Sequence, residues 1–178
     1  MSTATVSDLI SGPLAQEFEK LFREHYQLVY RTAYGITGRA EDAEDVLQTV
    51  FLKLLRRRTS RDFQKNSKGY LYRAAVNASL DILQFRSRHI LADNADRVGT
   101  PESAIDVDSR DIDRKRLSDM LAQLRPRAVE ILILRYEHDY SDAEIAKMLG
   151  TSRGVIAVSL YRSRARLKKL LRAREKES

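Results

Sequence analysis

Residues 141–172 constrain the fold of this chain more than any other stretch. Ser141 is followed three residues later by Glu144, which is the pattern of a capping box at the start of a helix. Apolar residues at helical spacing come next, and Gly150 then favours a helix end in the left-handed conformation. Either of the two hydroxyl residues after Gly150 can cap a further helix. The sequence therefore predicts two helices that are joined by a three-residue turn.

The second of these helices has two distinct faces at about 100° per residue. One side is aliphatic, and the other is basic with a few apolar residues. The aliphatic side holds Ile156, Leu160, Leu167 and Leu171, and the opposite side holds Val155, Val158, Tyr161, Arg162, Arg166 and Lys169. Eight lysines and arginines lie in residues 162–176, and such charge displaces counterions from DNA. The pattern is typical of a helix-turn-helix that enters a major groove, with an ordinary helical hairpin and a solvated basic tail as the alternative.

The composition excludes several classes of protein. The 178 residues include no cysteine, which excludes disulfides, thiolate metal sites and cysteine nucleophiles. No run approaches the roughly 18 apolar residues of a membrane span, and the first residues lack the pattern of a signal peptide. The net charge of +7 points to a polyanionic partner, nucleic acid first and an acidic membrane surface second. We therefore expect a cytoplasmic protein without membrane insertion.

The charge is divided among three parts of the chain. Residues 1–90 carry a net charge of +4, residues 91–112 carry −4, and residues 113–178 carry +7. Two basic bodies separated by an acidic stretch indicate two domains and a connector. The sequence predicts an all-α protein of two small helical domains, residues 1–90 and 112–178, with a flexible acidic linker between them over residues 91–111.

Five further helices are predicted from apolar spacing and from the residues that end helices. They cover residues 14–36, 41–57, 69–90, 112–124 and 126–136. In the fourth of them, Leu117, Leu121 and Leu124 are predicted to face inward. Pro126 suits the first turn of the fifth, where its missing N–H is not needed.

The predicted helix over residues 41–57 carries a polar stripe opposite its apolar side. Glu41, Asp45 and Gln48 share that stripe with Leu52. A leucine among polar residues indicates a candidate partner surface, although single exposed leucines are also normal on proteins.

The predicted helix over residues 69–90 has a face that mixes guanidinium and amide side chains. This face holds Arg73, Asn77, Gln84 and Arg88, with Asp81 and Arg86 beside it. Such side chains suit base edges and phosphates, and a solvated polar face is an equally good interpretation. Tyr70 and Tyr72 begin the helix, where they either stack on unpaired bases or join the core.

Three segments in this order resemble the sigma-70 family of bacterial RNA polymerase sigma factors, in the extracytoplasmic function (ECF) group. DAEDVLQTVFLKL at residues 42–54 is similar to the region 2.2 helix of that family. GYLYRAAVNASLDIL at residues 69–83 is similar to regions 2.3 and 2.4, and residues 124–167 are similar to region 4. The resemblance covers roughly residues 14–90 and 112–172. It implies a region 2-like bundle of three or four helices and a region 4-like domain of four helices with a helix-turn-helix.

The resemblance implies a factor that binds core polymerase, recognises the −10 and −35 promoter elements and directs transcription initiation. Its implied partners are promoter DNA, the β′ clamp helices and β flap of RNA polymerase, and an anti-sigma protein. It implies no cofactor, metal or catalytic residue.

Individual residues receive roles from the same resemblance. Asp45, Gln48 and Leu52 would meet core polymerase, and Asn77 would help to hold an unstacked −10 base. The implied −10 surface holds Asn77, Arg73, Gln84, Arg86 and Arg88, and the implied −35 surface holds Arg153, Val158, Tyr161, Arg162 and Arg164.

Two departures from the family bear on DNA recognition. Tyr70 stands where the family usually has tryptophan, and two usually basic positions of the recognition helix are Ala157 and Ser159. Val158 is suited to contact a thymine methyl group. The promoter sequence therefore cannot be taken from relatives.

Other functions fit the sequence less well. His25, His89 and His138 lie far apart without the spacing of a metal site. No glycine-rich phosphate loop or nucleophile motif is present, and the helix dipole explains Asp42 and Asp45 better than Mg²⁺ binding in a nuclease. A free-standing regulator would bind duplex DNA by itself as a dimer, and a membrane-surface protein would need an open apolar face.

Overall fold

The chain is all-α over the residues that a computed structural model describes, namely 13–56, 63, 65–96 and 109–175. In chain order its helices are α1 (Pro13–Thr37), α2 (Ala40–Arg56), α3 (Ser67–Asp96), α4 (Ser109–Leu121), α5 (Pro126–Tyr136), α6 (Asp142–Leu149) and α7 (Arg153–Glu175). The predicted all-α class is confirmed.

The ends of these helices follow the local chemistry. Gly38 follows α1 with a φ of 70°, a left-handed conformation that glycine adopts without strain, and α5 begins with Pro126 in its first turn. α3 continues to Asp96, beyond its predicted end at Ile90, because no glycine or proline intervenes. α4 begins at Ser109, slightly before its predicted start. The stretch that was predicted as a linker is therefore helical at both of its ends.

One leucine that was predicted to face inward is exposed, and so is one leucine from the aliphatic side of α7. α4 sets Arg114 and Ser118 against Gly38 of α1, and this rotation leaves Leu117 outside, with 43% of its surface exposed. Leu171 of α7 is also exposed, because Leu167 is the last residue of that helix to pack against the core. The prediction for Leu117 was wrong, because periodicity alone does not fix how a helix is rotated. Periodicity also does not fix how far along α7 the aliphatic side stays covered by other helices.

Two apolar clusters form the core, and one of them joins the two predicted domains. The first lies among α1, α2 and α3, around residues such as Val29, Val46 and Phe51. The second combines side chains of α1 and α3 with side chains of α5, α6 and α7. Its members from the amino-terminal half are Ile36, Tyr72, Val76, Leu80 and Leu83, and those from the other half include Val129, Leu132, Ile145, Ile156 and Leu160. The two halves of the chain therefore share a core.

Polar contacts cross the same boundary, which we call the interdomain junction. The Tyr72 hydroxyl donates to the Glu130 carbonyl at 2.5 Å, Arg31 donates to the Glu137 carbonyl at 2.6 Å, and the Thr32 hydroxyl lies 2.9 Å from Nε2 of His138. Burial, helped by the positive charges of Arg31 and Lys68, lowers the pKa of His138 to about 4. The imidazole is therefore neutral near pH 7, and it brings no charge into the junction.

Candidate DNA and polymerase interfaces

The predicted helix-turn-helix is present in α6 and α7, and the expected local bonds close it. The backbone N–H of Ser141 donates to Oε2 of Glu144 at 2.8 Å, and the N–H of Glu144 donates to the Ser141 hydroxyl at 3.3 Å. The hydrogen bonds from the Ser141 side chain and backbone lower the pKa of Glu144. Gly150 has a φ of 64°, and the Ser152 hydroxyl accepts from the N–H of Val155 at 3.3 Å. The capping box, the glycine helix end and the second cap are confirmed.

α5 bonds to the helix-turn-helix and packs against its buried side. Arg127 of α5 donates to the carbonyl of Leu149 at 3.1 Å and to the buried carboxylate of Glu130 at 2.8 Å. Ile145 of α6 and Ile156 of α7 are completely buried in the shared core. The orientation of α7 is therefore fixed by packing as well as by its cap.

α7 buries one side and exposes the other, as its sequence predicts. Ile156 and Leu160 face the core, whereas Val155 and Val158 are about half exposed. Tyr161 has 76% of its surface exposed, and Arg162 beside it is exposed as well. The outer side of α7 near its amino terminus is thus a surface of methyl groups, one phenol and one guanidinium, which we call the reading face.

A groove of about 880 Å³ runs beside the reading face, between α7 and the start of α5. Arg162 and Arg166 line it from α7, and Arg125 and Arg127 line it from the α5 side. The guanidinium of Arg127 is already engaged by Glu130 and Leu149, whereas the positive charges of Arg125, Arg162 and Arg166 on one concave surface favour the approach of a phosphate backbone. The groove and the reading face together have the charge and shape that suit a DNA duplex.

The two remaining residues of the predicted −35 surface differ in whether a neighbouring side chain holds them. Arg153 begins α7 and is exposed. Arg164 donates from Nε to the Tyr136 hydroxyl at 2.5 Å, and its guanidinium carbon lies 5.6 Å from the centroid of that ring. Arg164 is therefore tied to the end of α5, whereas Arg153 can reach a phosphate without breaking a described contact of this kind.

α3 presents most of the predicted −10 surface to solvent. Asn77, Gln84 and Arg88 are exposed, and Arg73 is half-buried with its Nε donating to the carbonyl of Gly69 at 3.2 Å. A surface pocket of about 590 Å³ lies at the amino-terminal end of this surface. Its lining consists of Lys65, Asn66, Tyr70, Arg73, Ala74 and Asn77. We call it the α3 pocket.

The two tyrosines at the start of α3 have different environments. Tyr70 lines the α3 pocket and packs edge-on against Phe63 with 5.6 Å between ring centroids. Tyr72 is completely buried, and burial raises the pKa of its phenol well above the usual value. Tyr72 therefore belongs to the core, whereas Tyr70 lies half-buried at the edge of the α3 pocket.

Arg86 lies away from the other residues of the predicted −10 surface. Nine residues separate it from Asn77, so the two side chains leave α3 in nearly opposite directions. Its guanidinium pairs with the buried carboxylate of Asp42 on α2. In the sequence, the position of Asp42 is explained by the dipole of α2 alone. No sequence pattern indicates the ion pair that Asp42 forms with Arg86 between α2 and α3.

The polar stripe of α2 is exposed as predicted. Glu41, Asp45 and Gln48 lie on the surface, and Leu52 has 50% of its surface exposed. Leu55, which sequence reasoning missed, is exposed to 58% and lies three residues after Leu52, which extends the stripe by a turn. Two exposed leucines at adjacent turns strengthen the interpretation of this stripe as a partner surface.

Asn66 was also missed, because residues 59–68 were predicted to be a loop without a role. Its Oδ1 accepts from the N–H of Gly69 at 2.8 Å, so it caps α3, and its Nδ2 donates to the carbonyl of Met148 at 3.0 Å. An asparagine three residues before Gly69 is a helix-cap signal that the sequence offered. Asn66 therefore joins the α3 pocket to the helix-turn-helix.

The described residues also bear on metal binding and on membrane spans. Within the described part of the chain, no group of histidine and carboxylate side chains is placed to hold a metal ion. Of the three histidines, the side chain of His89 lies outside the described residues. No described helix is long and apolar enough to cross a membrane.

Comparison with known proteins places both halves of the chain. Residues 21–89 match the family model described as Sigma-70 region 2, and residues 114–167 match Sigma-70, region 4. The chain is 32% identical over 160 residues to the ECF RNA polymerase sigma factor SigM of Mycobacterium tuberculosis, which covers 86% of this chain and 76% of SigM. It is 29% identical over 160 residues to the RNA polymerase sigma-E factor of Streptomyces coelicolor, with 89% and 88% covered.

Two solved structures share the fold at low sequence identity. CnrH, solved with the cytosolic domain of CnrY, has a TM-score of 0.56 and 21% identity, with 94% of each chain covered. RpoE of Bartonella quintana, solved with the anti-sigma factor NepR, has a TM-score of 0.50 and 20% identity, with 88% of this chain and 98% of that chain covered. The match to region 2 precedes the match to region 4 along the chain. The chain belongs to the ECF group of the sigma-70 family of RNA polymerase sigma factors.

Proposed function

We propose that this chain directs core RNA polymerase to promoters through two separate DNA contacts. As an ECF sigma factor it is a transcription initiation factor. The reading face of α7 contacts the −35 element in the major groove, and α3 contacts the −10 element and helps to open it. Each contact is weak alone and gains from being tethered to the same polymerase. The chain contributes no catalytic step of its own and acts in the cytoplasm.

The reading face carries the proposal. Recognition helices contact base edges with residues near their amino termini, and here those residues are exposed while the reverse side is buried. Arg162 suits the acceptor atoms of guanine, and the methyl groups of Val155 and Val158 suit the methyl group of thymine. Phosphate contacts come from Arg153 and from the arginines of the groove, which offset the absence of basic side chains at Ala157 and Ser159.

The α3 pocket supports the assignment of the −10 contact. Opening a duplex costs unstacking energy, and a pocket that receives an extruded base returns part of it. Asn77 offers an amide to the edge of a base, and Tyr70 offers a ring for stacking. Gln84 and Arg88 continue along the exposed side of α3, whereas Arg86 serves first to hold α3 against α2.

Protein partners follow from the exposed stripe of α2 and from the named relatives. Asp45, Gln48 and Leu52 meet the β′ clamp helices of core polymerase, with Leu55 extending the contact. The carboxy-terminal half meets the β flap. CnrH and the Bartonella RpoE were solved with CnrY and with the anti-sigma factor NepR respectively, and an anti-sigma protein is proposed as a regulator of this chain as well.

In vitro transcription with purified bacterial core polymerase tests the function. On a library of genomic fragments, the chain is expected to produce transcripts whose start sites share two sequence elements at a fixed spacing. Core polymerase without the chain is the control, and co-purification of the two reports their association. If the chain neither associates with core polymerase nor changes the choice of start sites, the proposal is wrong.

Replacement of Asn77 tests the α3 pocket separately. Asn77→Ala is expected to reduce the reactivity of −10 thymines to permanganate while binding of polymerase to duplex promoter is retained, because the lost amide meets only the extruded base. Gln27→Ala, which removes an exposed amide from α1, is the matched control and is expected to behave as wild type. Normal permanganate reactivity with Asn77→Ala would remove this residue from the −10 assignment.

A further inference from the structure

We propose that the reading face of α7 recognises the C5-methyl group of pyrimidines, so that 5-methylcytosine in a −35 element is bound as thymine is and unmethylated cytosine is not. The inference rests on the proposed function, because it concerns the bases that the −35 contact selects. It goes beyond that function by assigning the chain a response to cytosine methylation in DNA. Val155 and Val158 are the residues that carry it.

Near its amino terminus, the reading face exposes hydrocarbon rather than hydrogen-bonding groups. Val155 and Val158 have 53% and 48% of their surface exposed, and Ala157 between them is exposed as well. These three side chains offer neither a donor nor an acceptor to the edge of a base. Hydrogen-bonding side chains return to the exposed side of α7 only at Tyr161 and Arg162.

The stability of α7 does not explain valine at these two positions. β-Branched residues form helices less readily than alanine, lysine or arginine, and a half-exposed valine gains only part of the benefit of burial. Val155 and Val158 are three residues apart, so their side chains are neighbours on the helix surface. A contiguous aliphatic surface on the exposed side of a helix indicates that an apolar group of a partner covers it.

The charge around the two valines favours DNA as that partner. Both valines line the basic groove together with Arg162 and Arg166, and Arg153 is exposed at the start of α7. Guanidinium groups that bind phosphates bring the valines to the base edges of the major groove. The apolar group on those edges is the C5-methyl of thymine. 5-Methylcytosine carries a methyl group at the same ring position, whereas cytosine and uracil carry hydrogen there.

The spacing of the valines fits two successive base pairs. Three residues of an α-helix rise by about 4.5 Å, and successive base pairs of B-form DNA are about 3.4 Å apart. Val155 and Val158 can therefore meet methyl groups of neighbouring base pairs. Arg162 lies about 6 Å further along the helix, which corresponds to one or two more base pairs. We expect two adjacent 5-methylpyrimidines with a guanine at that distance from them.

The test uses the full chain with core polymerase and a promoter duplex that the chain itself selects from a genomic library. One −35 thymine at a time is replaced by deoxyuridine, which removes the methyl group and keeps every hydrogen-bonding atom. Competition binding is expected to weaken by about fourfold at each of the two thymines that face Val155 and Val158. Deoxyuridine in place of a thymine between the two promoter elements is the matched DNA control and is expected to leave binding unchanged.

Methylated cytosine tests the response to methylation directly. At the same two positions, a C·G pair replaces the T·A pair, with cytosine in one duplex and 5-methylcytosine in another. The methylated duplex is expected to bind about fourfold more tightly than the unmethylated duplex and to give more transcript in a single round. Equal binding of the two duplexes would overturn the response to methylation.

Alanine variants identify the residue that meets each methyl group. Val158→Ala is expected to abolish the difference between thymine and deoxyuridine at one of the two positions, and Val155→Ala at the other. Both variants are expected to fold, because neither valine is fully buried and alanine forms helices well. Leu171→Ala removes an exposed leucine near the far end of α7 and is expected to keep both differences.

The outcomes separate this inference from the proposed function. Equal binding of thymine and deoxyuridine at every −35 position, or a selected −35 element without thymine, would show that the reading face does not recognise methyl groups. The valines would then face a protein partner, and start-site selection by the same polymerase complex would leave the proposed function intact. A full thymine preference in both alanine variants would remove the valines from the assignment. If the chain does not alter the choice of start sites at all, the proposed function and this inference are both wrong.

Discussion

Replacing Arg162 by alanine is expected to weaken transcription from promoters with a −35 element by about 5- to 150-fold, or roughly 1–3 kcal/mol. The guanidinium is exposed on α7, beside the phenol of Tyr161 and at the mouth of the basic groove. In that position it can donate two bonds to one guanine, and alanine leaves those acceptor atoms without a partner. Single-round transcription on the wild-type promoter and on versions with each −35 base pair replaced measures the effect.

The control for Arg162→Ala must remove the same charge elsewhere. Arg23 is exposed on α1 and pairs with the exposed carboxylate of Glu19 at 2.6 Å, so Arg23→Ala lowers the net charge equally without touching the reading face. We expect little effect on transcription from Arg23→Ala. If both variants weaken transcription alike, or if Arg162→Ala leaves the preference for every −35 base pair unchanged, Arg162 contributes only general attraction to DNA.

Replacing Tyr72 by alanine is expected to lower the free energy of unfolding by about 3–5 kcal/mol, the usual cost of removing a buried ring. Tyr72 is completely buried in the core that both halves share, and its hydroxyl bonds to the Glu130 carbonyl. Tyr72→Phe keeps the ring and loses that bond, so we expect a smaller cost of about 0.5–1.5 kcal/mol. Urea unfolding followed by circular dichroism measures both.

A surface tyrosine provides the reference for this comparison. Tyr161 is exposed to 76%, and Tyr161→Ala is expected to change the free energy of unfolding by less than about 0.5 kcal/mol. Because the shared core contains both halves, the wild-type chain should unfold in a single transition. Two well-separated transitions, of which Tyr72→Ala shifts only the one that belongs to the amino-terminal half, would contradict a shared core.

Local features of the sequence predicted much of this structure. The capping box at Ser141 and the left-handed Gly150 are decided by neighbours within a few residues, and so is the separation of faces on α7. The stripe of α2 also follows from spacing alone. These predictions succeed because the forces that decide them act over one or two helical turns.

The contacts between distant residues left no such trace in the sequence. The bond from Tyr72 to Glu130 joins residues that are 58 positions apart, and Asn66 meets Met148 over 82 positions. The sequence predicts two separate domains because the net charge and the hydrophobic periodicity of its two halves differ. The apolar residues that join the halves have the same spacing as the other core residues of their helices. The spacing of apolar residues does not predict which helix will pack against the apolar face of another helix.

The placement of Arg86 in the −10 surface shows a different limit of prediction from the sequence. Its role came from its position along the chain, next to Gln84 and Arg88, without regard to the rotation of about 100° per residue. That rotation turns it away from Asn77 and towards α2, where it pairs with Asp42. The angle was available from the sequence, but the partner carboxylate on a second helix was not.

The bond from Asn66 to the Met148 carbonyl fastens the start of α3 to the last turn of α6. A substitution at position 66 therefore alters two distant helix ends together, the cap of α3 and the carbonyl that closes α6.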